Sequence, residues 1–170
     1  MKAIPFIQLT VNGMHTAMVN DVKALTKEQL AWKPAPKTNP VGFLFWHTVR
    51  VEDTMVSNWT KKTSVWEEDR WFEKLGLDAK VYGTGFQEPD VDKAAQLPID
   101  QVIAYAEKVF RNTDAYIGSL DEDKLDFAPN PERPNFTIAV MVANFLIAHG
   151  WWHLGEIRYV KGMQGMGAAR

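Results

Sequence analysis

Residues 147–165 read IAHGWWHLGEIRYVKGMQG, and the two histidines in this stretch, His149 and His153, stand four positions apart. On a helix that spacing stacks them with Cβ atoms roughly 5–6 Å apart, which suits two imidazoles converging on one ion. The stretch extends an apolar run that should begin as a helix near Asn135 or Thr137, after the proline-rich FAPNPERPN, and continue to about Lys161, where Gly162 offers a stop. The histidine face also carries Phe145, Leu146, Trp152 and Glu156, so its periodicity points it inward.

Three more segments share the helical period. Phe6, Ile7, Leu9, Met14, Met18, Val22 and Leu25 form a stripe from Ile4 to Leu25, the first helix. After LTKEQLAWKPAPKTNP, Asn39 and Pro40 give an N-cap residue followed by proline at the first helical position, which starts a second helix running to about Trp59. Its inner side takes Leu44, His47, Val51, Thr54 and Met55. A third helix follows Pro98, with Val102, Ile103, Ala106, Val109, Phe110, Ile117 and Leu120 on its apolar face. Between the second and third helices, residues 60–97 lose their period and gain glycines, and they are read as a long crossover with a functional role and short helices in places. The expected fold is all-α: a four-helix bundle whose long crossover departs from simple up-down order, in one domain spanning 1–170 with a frayed tail at about 163–170. No strand pattern, internal repeat or nucleotide-binding glycine loop is visible.

The composition narrows the function. The 170 residues are 46% hydrophobic and 24% charged, ordinary globular values that allow a core without staples. A net charge of −2, with lysines and arginines scattered, offers no surface for nucleic acid. The N-terminus lacks the pattern of an export signal and no unbroken run of 18 apolar residues occurs, so a cytoplasmic protein that neither spans nor binds a membrane is expected. With no cysteine, a metal would be held by nitrogen and oxygen alone.

His47, placed mid-helix after VGFLFW, is the natural third partner of His149 and His153. Three protein nitrogens with a fourth position open describe a catalytic site, because structural zinc sites close with four protein ligands. The competing reading is that these are buried histidines paired by hydrogen bonds. Gly150 after His149 excludes the HExxH arrangement with its glutamate base. Glu156, three residues beyond His153, is the candidate to hold an imidazole or act in catalysis, with an ion pair to Arg50 or Arg158 as the alternative. His15 is a conceivable fourth ligand, and an ordinary helix position is the simpler reading. Adjacent Glu52 and Asp53 point about 100° apart on a helix and suit capping or ion pairing. Trp46, Trp151 and Trp152 adjoin the ligands, either as core or as a shield against water.

VGFLFWHTVRVED in the second helix and IAHGWWHLGEIRYVKGMQG in the fourth resemble the DinB-like superfamily of bacterial metal-binding four-helix bundles, as do DVKALTKEQLAWKPAPKTNPVGFLFWH and VWEEDRWFEKLGL. The resemblance covers nearly the whole chain. It implies up-down-down-up order, a homodimer, and one divalent metal, commonly zinc or nickel, on His47, His149 and His153. It also implies a small-molecule substrate and the reactions of relatives: thiol-dependent S-transfer with a low-molecular-weight thiol cosubstrate, or metal-dependent hydrolysis. A non-catalytic metal- or ligand-binding dimer is the alternative within the same superfamily.

Overall fold

The computed structural model describes residues 2–167. In chain order the helices are α1 (Ala3–Val22), α2 (Lys27–Ala31), α3 (Val41–Thr60), α4 (Val65–Glu68), α5 (Trp71–Lys74), α6 (Glu88–Ala95), α7 (Ile99–Gly118) and α8 (Ile138–Met163), with a 3₁₀ turn at Glu122–Lys124. No strand occurs among the described residues. The four long helices form the frame: α1 and α3 each pack against both α7 and α8. Directions follow from the contacts. Asp21, late in α1, meets Arg158 and Lys161, late in α8, so α1 and α8 run together. Trp59, at the end of α3, lies near both Phe145 and Tyr116, so α3 runs against α8 and alongside α7.

Met14 and Met18 from α1, Phe45 and Trp46 from α3, Tyr105 and Val109 from α7, and Leu146, Leu154 and Ile157 from α8 fill the buried interior. Fully burying a side chain of this kind contributes about 1.5–3 kcal/mol, which lets helices of modest intrinsic stability hold together.

Several local expectations shift. The second long helix begins at Val41, with Pro40 in extended conformation as its cap residue and no side-chain cap, so Asn39 lies one step outside. The proline-rich joint contains α2, because Thr26 and Gln29 form a reciprocal capping box ahead of the prolines. The crossover is organised by α4, α5 and α6, and α6 lies so close to α3 that a Cβ on Gly42 would sit 2.4 Å from the Ala95 carbonyl oxygen. The chain stays ordered beyond 163: Met166 N–H bonds to the Lys161 carbonyl and the Gln164 side chain to the Gln29 carbonyl. Residues 168–170 of the expected frayed tail lie outside the described residues.

The phase of α8 also differs. Residues Ala143–Ala148 form a π-turn, and beyond it the inward row is Leu146, Gly150, Leu154 and Ile157. At about 100° per residue this row is centred roughly a quarter turn from His149. His149 and His153 therefore sit on the flank of α8 facing α3, while Trp152, expected inside, is 77% exposed, and Glu156 is exposed as well. Gly150 faces α1, where a Cβ would lie 2.5 Å from the methyl at the flexible end of Met14. By length and composition α8 is apolar enough to cross a bilayer, although no unbroken apolar run marks it. Of its apolar window 28% is buried inside the bundle, with Leu146, Leu154 and Ile157 packed against the other helices.

Candidate metal centre

His47 on α3 and His149 and His153 on α8 come together where the two helices pack, and one nitrogen from each lies within 4.8 Å of the others. His149 Nε2 and His153 Nε2 are 3.1 Å apart. That is a hydrogen-bond distance between the two rings, and it is also close to the roughly 3.3 Å that separates two nitrogens bound tetrahedrally at about 2.0–2.1 Å. Two of the three rings are also oriented. His47 Nδ1–H donates to the Tyr82 carbonyl at 2.6 Å, and His153 Nδ1–H donates to the Glu156 carboxylate at 2.6 Å. A ring protonated at Nδ1 carries its lone pair on Nε2, so these partners fix the tautomer that a metal ligand needs. His149 Nδ1 is buried and makes no hydrogen bond within the protein.

Burial disfavours the charged form of two of the three rings. Burial, followed by the neighbouring His153 and His47, lowers the His149 pKa to about 4. Burial also lowers that of His47, partly offset by the Tyr82 carbonyl. The hydrogen bond from His153 lowers the Glu156 pKa and favours its carboxylate form. At neutral pH, His47 and His149 are thus neutral imidazoles with an anion nearby, and the three histidines are a donor set that could hold a metal ion.

The model of the DinB superfamily matches residues 13–157, which include all three histidines and Glu156. The chain belongs to the DinB superfamily. A solved structure described as the conserved protein of locus from Enterococcus faecalis resembles this DinB chain with a TM-score of 0.77 at 23% identity, covering 95% of this chain and 96% of the other, a likeness of fold. No curated protein matches the sequence.

The structure separates other candidates from this centre. His15 is a buried helix residue of α1 away from the cluster, its Nε2 2.9 Å from Glu52 and its ring stacked on Phe110, so it is not a fourth ligand. Glu52 is held by His15 and Thr113, and Asp53 accepts the Val65 and Trp66 N–H groups at the start of α4. Arg50 and Arg158 are engaged with Asp53 and Asp21 respectively, so neither pairs with Glu156. Trp46 is fully buried, but Trp151 and Trp152 face solvent and do not shield the site.

Sequence reasoning missed two contributors, Tyr82 and Gly83. Tyr82 acts through its carbonyl, for which no side-chain signature exists. Gly83 has φ +94°, and a Cβ there would lie 2.6 Å from His47 Nδ1, so only glycine lets the strand of chain lie flat on the ring. The glycines of VYGTG were the available signal. A groove of about 550 Å³, which reaches Glu156 but is lined by none of the three histidines, is bordered by Pro34, Lys37, Asn39, Trp152, Glu156 and Tyr159.

Proposed function

We propose that this DinB-superfamily chain is a metal-dependent enzyme, with His47, His149 and His153 as ligands of one zinc or nickel ion. The observation that carries the reading is the paired orientation of His47 by the Tyr82 carbonyl and His153 by the Glu156 carboxylate. Both contacts leave Nε2 of the ring as the free ligand atom, and one nitrogen from each of the three rings lies within 4.8 Å of the others.

Three neutral imidazoles leave a position open for a reactant. A divalent ion supplies Lewis acidity there, making a thiol or water nucleophilic near neutral pH. The chain's own contribution is to hold the rings, to keep His47 and His149 neutral, and to present Glu156 as an exposed carboxylate at the rim that orients His153. Thiol-dependent S-transfer with a low-molecular-weight thiol cosubstrate is the preferred reaction, and metal-dependent hydrolysis is its variant. The small-molecule substrate would lie in the groove between the 34–39 loop and α8. A cytoplasmic setting fits, because thiols are kept reduced there.

The exposed Trp151, Trp152, Tyr159 and Met163 along α8 support a homodimer, and with it the second reading of a non-catalytic metal- or ligand-binding module. Thiol-transfer and ester-hydrolysis assays on zinc- and nickel-loaded protein decide between them. Turnover in the wild type that is lost in His47→Ala supports the enzyme. Saturable thiol binding without turnover supports the module.

A further inference from the structure

The segment that holds His47 is itself held from beneath by a side chain three residues further along the same helix. Arg50 is almost fully buried, and both its Nε–H and Nη2–H donate to the Val81 carbonyl, at 3.2 and 3.0 Å. The next carbonyl in the chain, that of Tyr82, accepts from His47, and the next residue, Gly83, lies against the ring. Two successive carbonyls of one strap are therefore tied to two residues on α3, separated by three positions, which places them on the same side of the helix.

The remainder of Arg50 is fixed with comparable care. Nη1–H donates to Thr54 Oγ1 at 3.1 Å and faces the Tyr105 hydroxyl at 3.5 Å and Asp53 Oδ2 at 3.6 Å. The guanidinium carbon stands 4.5 Å from the centre of the Trp66 ring, and Trp66 Nε1–H bonds to the Ala79 carbonyl, two residues upstream on the strap. Asp53 accepts the Val65 and Trp66 N–H groups and the Tyr105 hydroxyl. Arg50, Asp53 and Trp66 thus form one buried network whose output toward the histidines is the path of residues 79–83. A lysine could not reproduce this, because the fork of Arg delivers two parallel N–H groups to one acceptor and a lysine ammonium offers a single point.

We infer that Arg50 is a positioning residue for the metal centre, acting through the 81–83 strap to set the tautomer and direction of His47. The inference rests on the metal-site reading above. It assigns a role to a buried cation that touches neither the ligand nitrogens nor the groove. Losing a partner that orients a metal ligand typically lowers affinity about 10- to 100-fold, and this is the loss expected here even though Arg50 acts one step removed.

The test is a cycle on purified protein. Cobalt(II) and zinc dissociation constants are measured by chelator competition for wild type, Arg50→Lys, His47→Ala and the double variant, with the visible cobalt spectrum and the ¹⁵N shifts of the metal-free His47 ring recorded alongside. The expected result is a loss of about tenfold or more in Arg50→Lys, a changed cobalt spectrum, a His47 ring no longer fixed as the Nδ1–H tautomer, and no further loss when the change is made in His47→Ala. Gly83→Ala, which disturbs the same strap from the His47 side by placing a methyl against the ring on a backbone at φ +94°, should give the same spectral change. If Arg50→Lys does not fold, Arg50→Met with Asp53→Asn removes both buried charges and enters the same cycle. Equal losses with and without His47, or an unaltered affinity and tautomer in a folded Arg50 variant, would overturn the inference. A wild type that binds neither metal would instead remove the metal-site reading on which it stands.

Discussion

Acidification separates this cluster from three ordinary surface imidazoles. A histidine must lose its proton to bind a metal, so at a pH below its pKa the affinity falls by a factor of 1 + 10^(pKa − pH). For an unperturbed pKa of about 6.5, going to pH 5.5 lowers affinity roughly 11-fold per histidine, or about 10³-fold for three. His149, with a pKa of about 4, is still neutral at pH 5.5 and contributes almost nothing to that loss, and burial reduces the share of His47 as well. The expected fall in zinc or cobalt affinity between pH 7.5 and 5.5 is therefore at least about tenfold smaller than the ordinary value. Chelator competition across the range measures it. The sign for the metal-free fold follows from the same shift: the unfolded chain protonates His149 near pH 6.5 and the folded chain only near 4, so stability is complete above about 6.5 and declines as the pH falls toward 4. A 10³-fold drop in affinity by pH 5.5, or a metal-free stability unchanged through that window, would refute the burial argument.

Other substitutions follow from the same contacts. Glu156→Ala removes the partner of His153 Nδ1 from an exposed position and should weaken metal binding about 10- to 100-fold with little change in melting temperature, read by chelator competition and circular dichroism. Asp21→Ala strands the buried Lys161 ammonium and the Arg158 guanidinium; a loss of about 3–5 kcal/mol is expected, or about 8–14 °C in Tm for a chain of this length, measured by calorimetry. Trp46→Ala should destabilise by about 3–5 kcal/mol and Trp152→Ala by no more than about 0.5 kcal/mol in urea titrations, although each directly precedes a histidine of the cluster in sequence.

What was legible in the chain was whatever lives in side-chain type and spacing. The four amphipathic stripes gave the long helices to within a few residues, and HxxxH with a mid-helix histidine elsewhere picked out the residues that meet in space. Glu156 was legible as a partner of His153 because i,i+3 neighbours touch on any helix. The orientation of the Trp151–Trp152 pair was not, because core direction depends on which residues face α1 and α3, and a π-turn with no sequence signal lies just upstream. The Tyr82 carbonyl and the Val81–Arg50 contact were equally hidden, since backbone acceptors carry no residue code and residues 79–83 have no period. For His15 the simpler reading, a helix position, held over that of a ligand, but its partner Glu52 across the bundle was not visible in the chain.

The central claim is that His47, His149 and His153 hold one divalent ion. Elemental analysis of protein purified without a histidine tag or added metal, beside the His149→Ala/His153→Ala double variant, tests it most directly. About one equivalent of zinc or nickel in the wild type and almost none in the variant is the expected result. A wild type that stays metal-free even after zinc and nickel are supplied would contradict the claim and leave the three histidines as packing.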